Sequence, residues 1–239
     1  MSSREILAGG SPILVVVAHP DDEVLGFGGT AHLLAKAGAS VQACILAGAA
    51  DARHQRPTDE GLLSDTHEAS RRSGMAEPII GAFPNIRMNT VAHLELVQFI
   101  EGAIIAQCAT RIFTHHPGDI NDDHRQAARA TQAAARLSQR RSDVPALQSL
   151  HYMEIPSSTD WSFAGDGRFD PDSFVEIGNA GVSAKLTALA AYRNVMRPYP
   201  HPRSVEAIKG LATYRGGQAG LDRAEAFQTG YMNLSSLLA

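Results

Sequence analysis

Five residues in unbroken succession, Ile13-Leu14-Val15-Val16-Val17, run through Ala18 straight into His19-Pro20-Asp21-Asp22-Glu23. A strand with one solvated face alternates apolar and polar residues, whereas one that is apolar throughout is covered on both faces. This run therefore asks for helices above and below a parallel sheet rather than for a half-exposed hairpin. Open parallel sheets place their ligands beyond the carboxyl ends of their strands. The histidine and the three acids stand at such an end.

The rest of the first half repeats the alternation. Residues 41–46, 78–83 and 111–114 read as further strands, and 28–37, 62–73, 94–109 and 123–139 as helices. Gly38 and Gly74 stand where helix-terminating glycines belong. The fold class this predicts is α/β: a Rossmann-like, doubly wound, mainly parallel sheet with helices on both faces. Beyond residue 140 the pattern loosens, with strands expected at 150–155 and 174–177 and helices at 183–194 and 204–214. No linker marks a boundary. The expectation is a single domain over 1–239, with a core half to about 140 and a specificity-bearing half after it.

Composition narrows the function classes. Apolar residues at 44% and charged residues at 19% exclude a disordered chain, and a net charge of −4 gives no electrostatic reason to expect nucleic acid. No stretch approaches the roughly 20 apolar residues of a membrane span. The two cysteines, Cys44 and Cys108, both lie in apolar runs and read as packing residues. The N-terminus lacks the pattern of an export signal, so the expected location is the cytoplasm. Self-association into a homo-oligomer is left open.

The chemistry concentrates in two polar clusters, each straight after a strand: His19 to Glu23, and His115-His116-Pro117-Gly118-Asp119-Ile120-Asn121-Asp122-Asp123-His124-Arg125. Acids at helix starts are favoured by capping and by the macrodipole, and that alone accounts for each aspartate singly. It does not account for the histidines that accompany them. Imidazole with carboxylate and no thiolate suits zinc, with iron(II) or another first-row ion as the alternative. Two histidines and one carboxylate leave a coordination position for water, whose pKa a zinc ion lowers to about 7.

The first cluster, with Gly26 and Gly28-Gly29-Thr30, and the second, from Thr114 to Arg125, resemble the two metal motifs of the PIG-L (LmbE-like) de-N-acetylases. The likeness covers residues 13–130. It implies a zinc-dependent hydrolase that removes an acyl group from an amide nitrogen, usually on an acetylated amino sugar. By that resemblance His19, Asp22 and His124 are the metal ligands, and Asp21 is the base that activates water. Asp123 orients a catalytic imidazole, and Arg53 contacts substrate. Family members often carry a histidine three residues before the second metal histidine, where this chain has Asn121. An amide can donate to an oxyanion but cannot transfer a proton at pH 7. His201, in Tyr199-Pro200-His201-Pro202-Arg203, is the first candidate for that missing acid and His116 the second.

The expected activity is removal of an N-acetyl group from an amino sugar or its conjugate, a small molecule. Cleavage of a different acyl amide on a sugar or antibiotic conjugate is the runner-up. A carbohydrate- or metal-binding protein without turnover is less consistent with a spare carboxylate at Asp21 beside Asp22, and a metal-free glycosidase would be insensitive to chelators. The acids in the turn after the first strand, and the wrong glycine spacing, exclude a nicotinamide cofactor.

Overall fold

A computed structural model describes residues 12–49, 57–163 and 167–235. Seven strands form one sheet: β1 (Ile13–Val17), β2 (Val41–Ile45), β3 (Ile79–Ile80), β4 (Arg111–His115), β5 (Ser149–Met153), β6 (Ser173–Glu176) and β7 (Ala224–Met232). Their spatial order is β3-β2-β1-β4-β5-β7-β6. The first five are mutually parallel, and β7 runs antiparallel to both β5 and β6. The helices are α1 (Asp22–Lys36), α2 (Asp59–Ser73), α3 (His93–Gln107), α4 (Asp122–Ala134), α5 (Gly178–Leu189) and α6 (Val205–Ala219).

The apolar run of β1 explains the two layers. Leu14, Val16 and Ala18 pack with Cys44 and Leu46 under Leu96 and Ile100 of α3 and Ala127 and Ala130 of α4. Ile13, Val15 and Val17 pack on the other face with Phe27, Ala31 and Leu34 of α1. Alternate side chains of one strand thus serve two cores, and each fully buried aliphatic side chain contributes about 1.5–3 kcal/mol. Gly29 in α1 is a close-approach glycine: a Cβ there would come within 2.7 Å of Ile177 Cδ1.

Chain direction across the sheet reverses at β1. From there β2 and β3 lie to one side and β4 and β5 to the other, so the neighbours β1 and β4 flank the switch point. Loops leaving two such strands diverge and open a crevice between them. Both polar clusters leave from these two strands.

Three features differ from the sequence expectation. Helix α1 starts at Asp22 rather than at residue 28, so the first acidic cluster is the opening turn of a helix. Strand β7 has no counterpart among the expected elements, because its buried positions include Glu225, whose charge hides the apolar pattern. Cys44 is buried as expected, but Cys108 is exposed: it caps α3 in the left-handed conformation, φ 50°, which turns it out of the core. No helix among the described residues is long and apolar enough to cross a membrane.

Candidate active site

The first cluster is shaped by a tight turn. Asp21 adopts φ 104°, and its backbone N–H donates to Glu23 Oε2 at 3.0 Å. Asp22 then opens α1, where its Oδ2 accepts from the His19 N–H at 3.0 Å. The second cluster follows β4 and ends in α4. There Asn121 is the N-cap and its Oδ1 accepts from the Asp123 N–H at 3.0 Å. Asp123 and His124 therefore sit in the first turn of a helix aimed at the crevice.

His19, Asp22 and His124 meet in that crevice. Their candidate ligand atoms all lie within 4.8 Å of one another, and all three residues are buried. His19 Nδ1 is 3.4 Å from Asp22 Oδ2, and His124 Nε2 is 3.3 Å from the same oxygen. These separations suit donors that share an ion: ligands at about 2.0–2.1 Å in a tetrahedral zinc site stand roughly 3.3–3.4 Å apart.

Each imidazole is held from behind by a carboxylate. His19 Nε2 is 3.0 Å from Asp123 Oδ2, and Asp123 is itself fixed by the N–H groups of Ile86 at 2.6 Å and Met88 at 2.9 Å. His124 Nδ1 is 3.2 Å from Asp119 Oδ2. Asp119 accepts from Thr159 Oγ1 at 2.6 Å and from Ser158 Oγ. With the rear nitrogens turned to these carboxylates, both front nitrogens face Asp22, and loss of their protons would free two lone pairs for an ion, as in carboxylate–histidine–metal sites.

The electrostatics follow from this crowding. Burial opposes any charge on His124, yet Asp22 and Asp119 outweigh it and raise its pKa to about 10. Burial likewise opposes ionisation of Asp22, but the imidazoles of His124, His19 and His115 hold it well below the usual carboxylate range. His115 stacks on His124 with ring centroids 3.9 Å apart. Burial and the neighbouring His124 push it down to about 3, so it is neutral. Its Nε2 accepts from the Ala18 N–H at 2.8 Å, which puts its proton on Nδ1.

His19, Asp21, Asp22, Asn121 and His124 line one cleft of about 190 Å³, together with Ser157, Ser158 and Arg203. Asp123 stands behind His19 and orients that ring rather than its sequence neighbour His124. His201 lines a different, adjoining cleft with Trp161 and Tyr199. His116 is buried, and its ring lies against Tyr152 and Phe169. Arg53 lies outside the described residues.

Three participants escaped the sequence reading. Arg203 donates from Nη1 to Asp21 Oδ2 at 3.0 Å and from Nε to Ser157 Oγ at 2.8 Å. Ser158 and Thr159 hold Asp119 from about 40 residues away in sequence. Asp119 itself carried a signal, being the acid five residues before His124 in the second cluster. The serine, threonine and arginine carried none.

Known proteins share this architecture. The family described as PIG-L, GlcNAc-PI de-N-acetylase, matches residues 14–135. A curated relative, the uncharacterised deacetylase YaiS of Escherichia coli (strain K12), is 31% identical over 193 residues, 76% of this chain and 90% of that protein. Among solved structures, the conserved protein TT1542 from Thermus thermophilus is similar with a TM-score of 0.76 and 27% identity, covering 94% of this chain and 96% of that one. The N,N'-diacetylchitobiose deacetylase from Pyrococcus horikoshii shares the fold with a TM-score of 0.74 and 15% identity, over 98% of this chain and 91% of that one.

Proposed function

Because the chain belongs to the PIG-L family of de-N-acetylases, we propose that it is a metal-dependent hydrolase removing the N-acetyl group from an amino sugar or a small amino-sugar conjugate. One observation carries the metal dependence: two imidazoles, each backed by a buried carboxylate, turn their front nitrogens toward one Asp22 oxygen. His19, Asp22 and His124 would hold the ion, zinc by its preference for this donor set, with iron(II) as the alternative. When bound, such an ion supplies Lewis acidity for the acyl carbonyl and for a water.

The chain's own groups do the rest. Asp21 takes the proton from the attacking water, whose oxygen bonds to the carbonyl carbon. The carbon–nitrogen bond then breaks, and Asp21 returns the proton to the departing nitrogen, giving acetate and a free amine. Arg203 holds Asp21 in reach of both. Asn121 lines the same cleft, and with Oδ1 engaged as a helix cap its amide N–H remains to meet the developing oxyanion. His201 lines the adjoining cleft rather than this one, so both proton transfers are assigned to Asp21. We read residues 1–239 as one catalytic domain, with specificity residing after about residue 140.

Metal analysis of the purified protein, paired with acetate release from N-acetylglucosamine, diacetylchitobiose, nucleotide sugars and glycosides, tests this reading. The expected result is close to one divalent ion per chain and acetate from at least one donor. Undiminished turnover after complete chelation would overturn the metal dependence. Release of a different acid, from N-acyl analogues alone, would shift the reading to another amidase.

A further inference from the structure

Beside the candidate active site lies a second, more open cleft of about 660 Å³ that the chemistry above leaves unused. Its walls are Trp161, Tyr199, His201, Arg197 and three prolines of the 196–203 connector. The two clefts share structural supports. Trp161 ends the short turn Thr159–Trp161, whose first residue, with Ser158 before it, holds Asp119 behind the His124 ligand. The connector ends in Arg203, which grips Asp21.

The connector is held in one shape by its own backbone. Arg197 N–H donates to the Arg203 carbonyl at 3.2 Å, and His201 N–H to the Pro198 carbonyl at 3.1 Å. Arg203 N–H donates to His201 Nδ1 at 3.0 Å, so only Nε2 of that ring is left for a ligand. Trp161 meets the His201 ring at a centroid distance of 5.6 Å. Even so, Trp161 keeps 51% and Tyr199 69% of its surface exposed. Two large aromatic faces kept in water, Tyr199 on a segment stiffened by prolines and Trp161 on the turn that meets His201, are an exposed patch of the kind that marks a binding surface.

The polar groups of this cleft decide what fits. The Arg197 guanidinium, the Trp161 indole N–H and the Tyr199 hydroxyl all offer donors, and among the described residues no carboxylate or amide side chain lines the walls. Asp160, whose charge reaches His201, lines the hollow on the other side of Pro202, and its Oδ1 is taken by the Ser158 N–H at 2.9 Å. A bare sugar ring, with hydroxyls that need acceptors as well as donors, is poorly served here. An anionic oxygen group, which only accepts, is well served.

We propose that this cleft is a subsite for the part of the substrate beyond the acylated sugar: an aglycone with a flat apolar face that stacks on Trp161 and Tyr199, and a carboxylate or phosphate that pairs with Arg197. The proposal rests on the deacetylase reading for what occupies the neighbouring cleft. It narrows the substrate class to anionic conjugates of the amino sugar rather than neutral oligosaccharides.

Trp161 is the only tryptophan of the chain, so indole fluorescence reports on this cleft alone. The test titrates the intact protein with 4-carboxybenzyl β-glucoside, 4-phosphonobenzyl β-glucoside and neutral benzyl β-glucoside, none of which has an acyl group to lose. Saturable fluorescence changes are expected with both anionic probes, the tighter one telling carboxylate from phosphate recognition. Arg197→Gln should weaken those two about tenfold, a factor worth about 1.4 kcal/mol. It should leave the neutral probe where it was, which also reports that the variant is folded. No saturable change, equal affinity for the neutral probe, or indifference to Arg197→Gln would overturn the subsite. Because the titration needs no turnover, a protein that binds the anionic probes yet releases no acetate keeps the subsite and loses the deacetylase reading. An active deacetylase that ignores the probes does the reverse.

Discussion

Asp21 is held on three sides: a left-handed backbone at φ 104°, an N–H bonded to Glu23, and a carboxylate gripped by Arg203. Such strained positions persist where the surroundings over-determine them, and here the reward is a carboxylate fixed beside Asp22. Asp21→Asn keeps the shape and removes the base. Turnover should fall about 10²–10⁴-fold, the usual worth of a positioned acid–base group, with metal content unchanged by elemental analysis. The carboxylates behind the ligands act differently. Asp119→Ala or Asp123→Ala should weaken metal binding about 10–100-fold in chelator competition, because His124 or His19 then loses its fixed tautomer and orientation. His124 also predicts a pH effect. With its pKa raised to about 10, its contribution to the metal-free fold is complete below the ordinary histidine value of about 6.5 and is lost as pH rises through 10. His19 is raised as well, so it acts in the same direction. Chelator-treated protein should therefore be less stable to urea at pH 9.5 than at pH 6.5. Metal binding at pH 8 should release at least one proton per ion, readable as a dependence of the binding enthalpy on buffer.

Helix α1 carries the first motif, so its placement decides whether the ligands meet. Its N-terminus is fixed by the β1 turn, and its middle is tied to the far side of the sheet. Glu225 of β7 accepts from the backbone N–H groups of Gly29 at 3.0 Å and Thr30 at 2.7 Å, and pairs with Lys185 of α5 at 2.8 Å. Lys185 is 6% exposed, as is Glu225. Breaking a buried pair by neutralising one member leaves the other uncompensated, at a cost of about 3–5 kcal/mol. Glu225→Gln should lower the urea midpoint accordingly without changing the denaturant slope. A variant within about 0.5 kcal/mol of wild type would show that the pair does not tie these elements together.

For the whole molecule, the site draws on both halves of the chain. The candidate ligands come from the segments after β1 and β4, while Ser158, Thr159 and Arg203 arrive from beyond residue 150. An ion that bridges α1 and α4 binds only the folded chain, so it should stabilise the whole. At a hundredfold excess over its dissociation constant the gain is about 2.7 kcal/mol, or about 5–11 °C in Tm for a chain of this size. Scanning calorimetry with and without chelator checks this, and an unchanged Tm would argue that no ion bridges these helices. The parallel core, both polar clusters and their convergence on one crevice were legible in the linear text, because an unbroken β-branched strand and clustered imidazole–carboxylate residues are local signals. The antiparallel β7, the Arg203 grip on Asp21 and the pinning of Asp119 by Ser158 and Thr159 were not. Each depends on a polar residue whose purpose is a partner tens to nearly two hundred positions away, and only chain closure over the sheet decides which distant groups become neighbours.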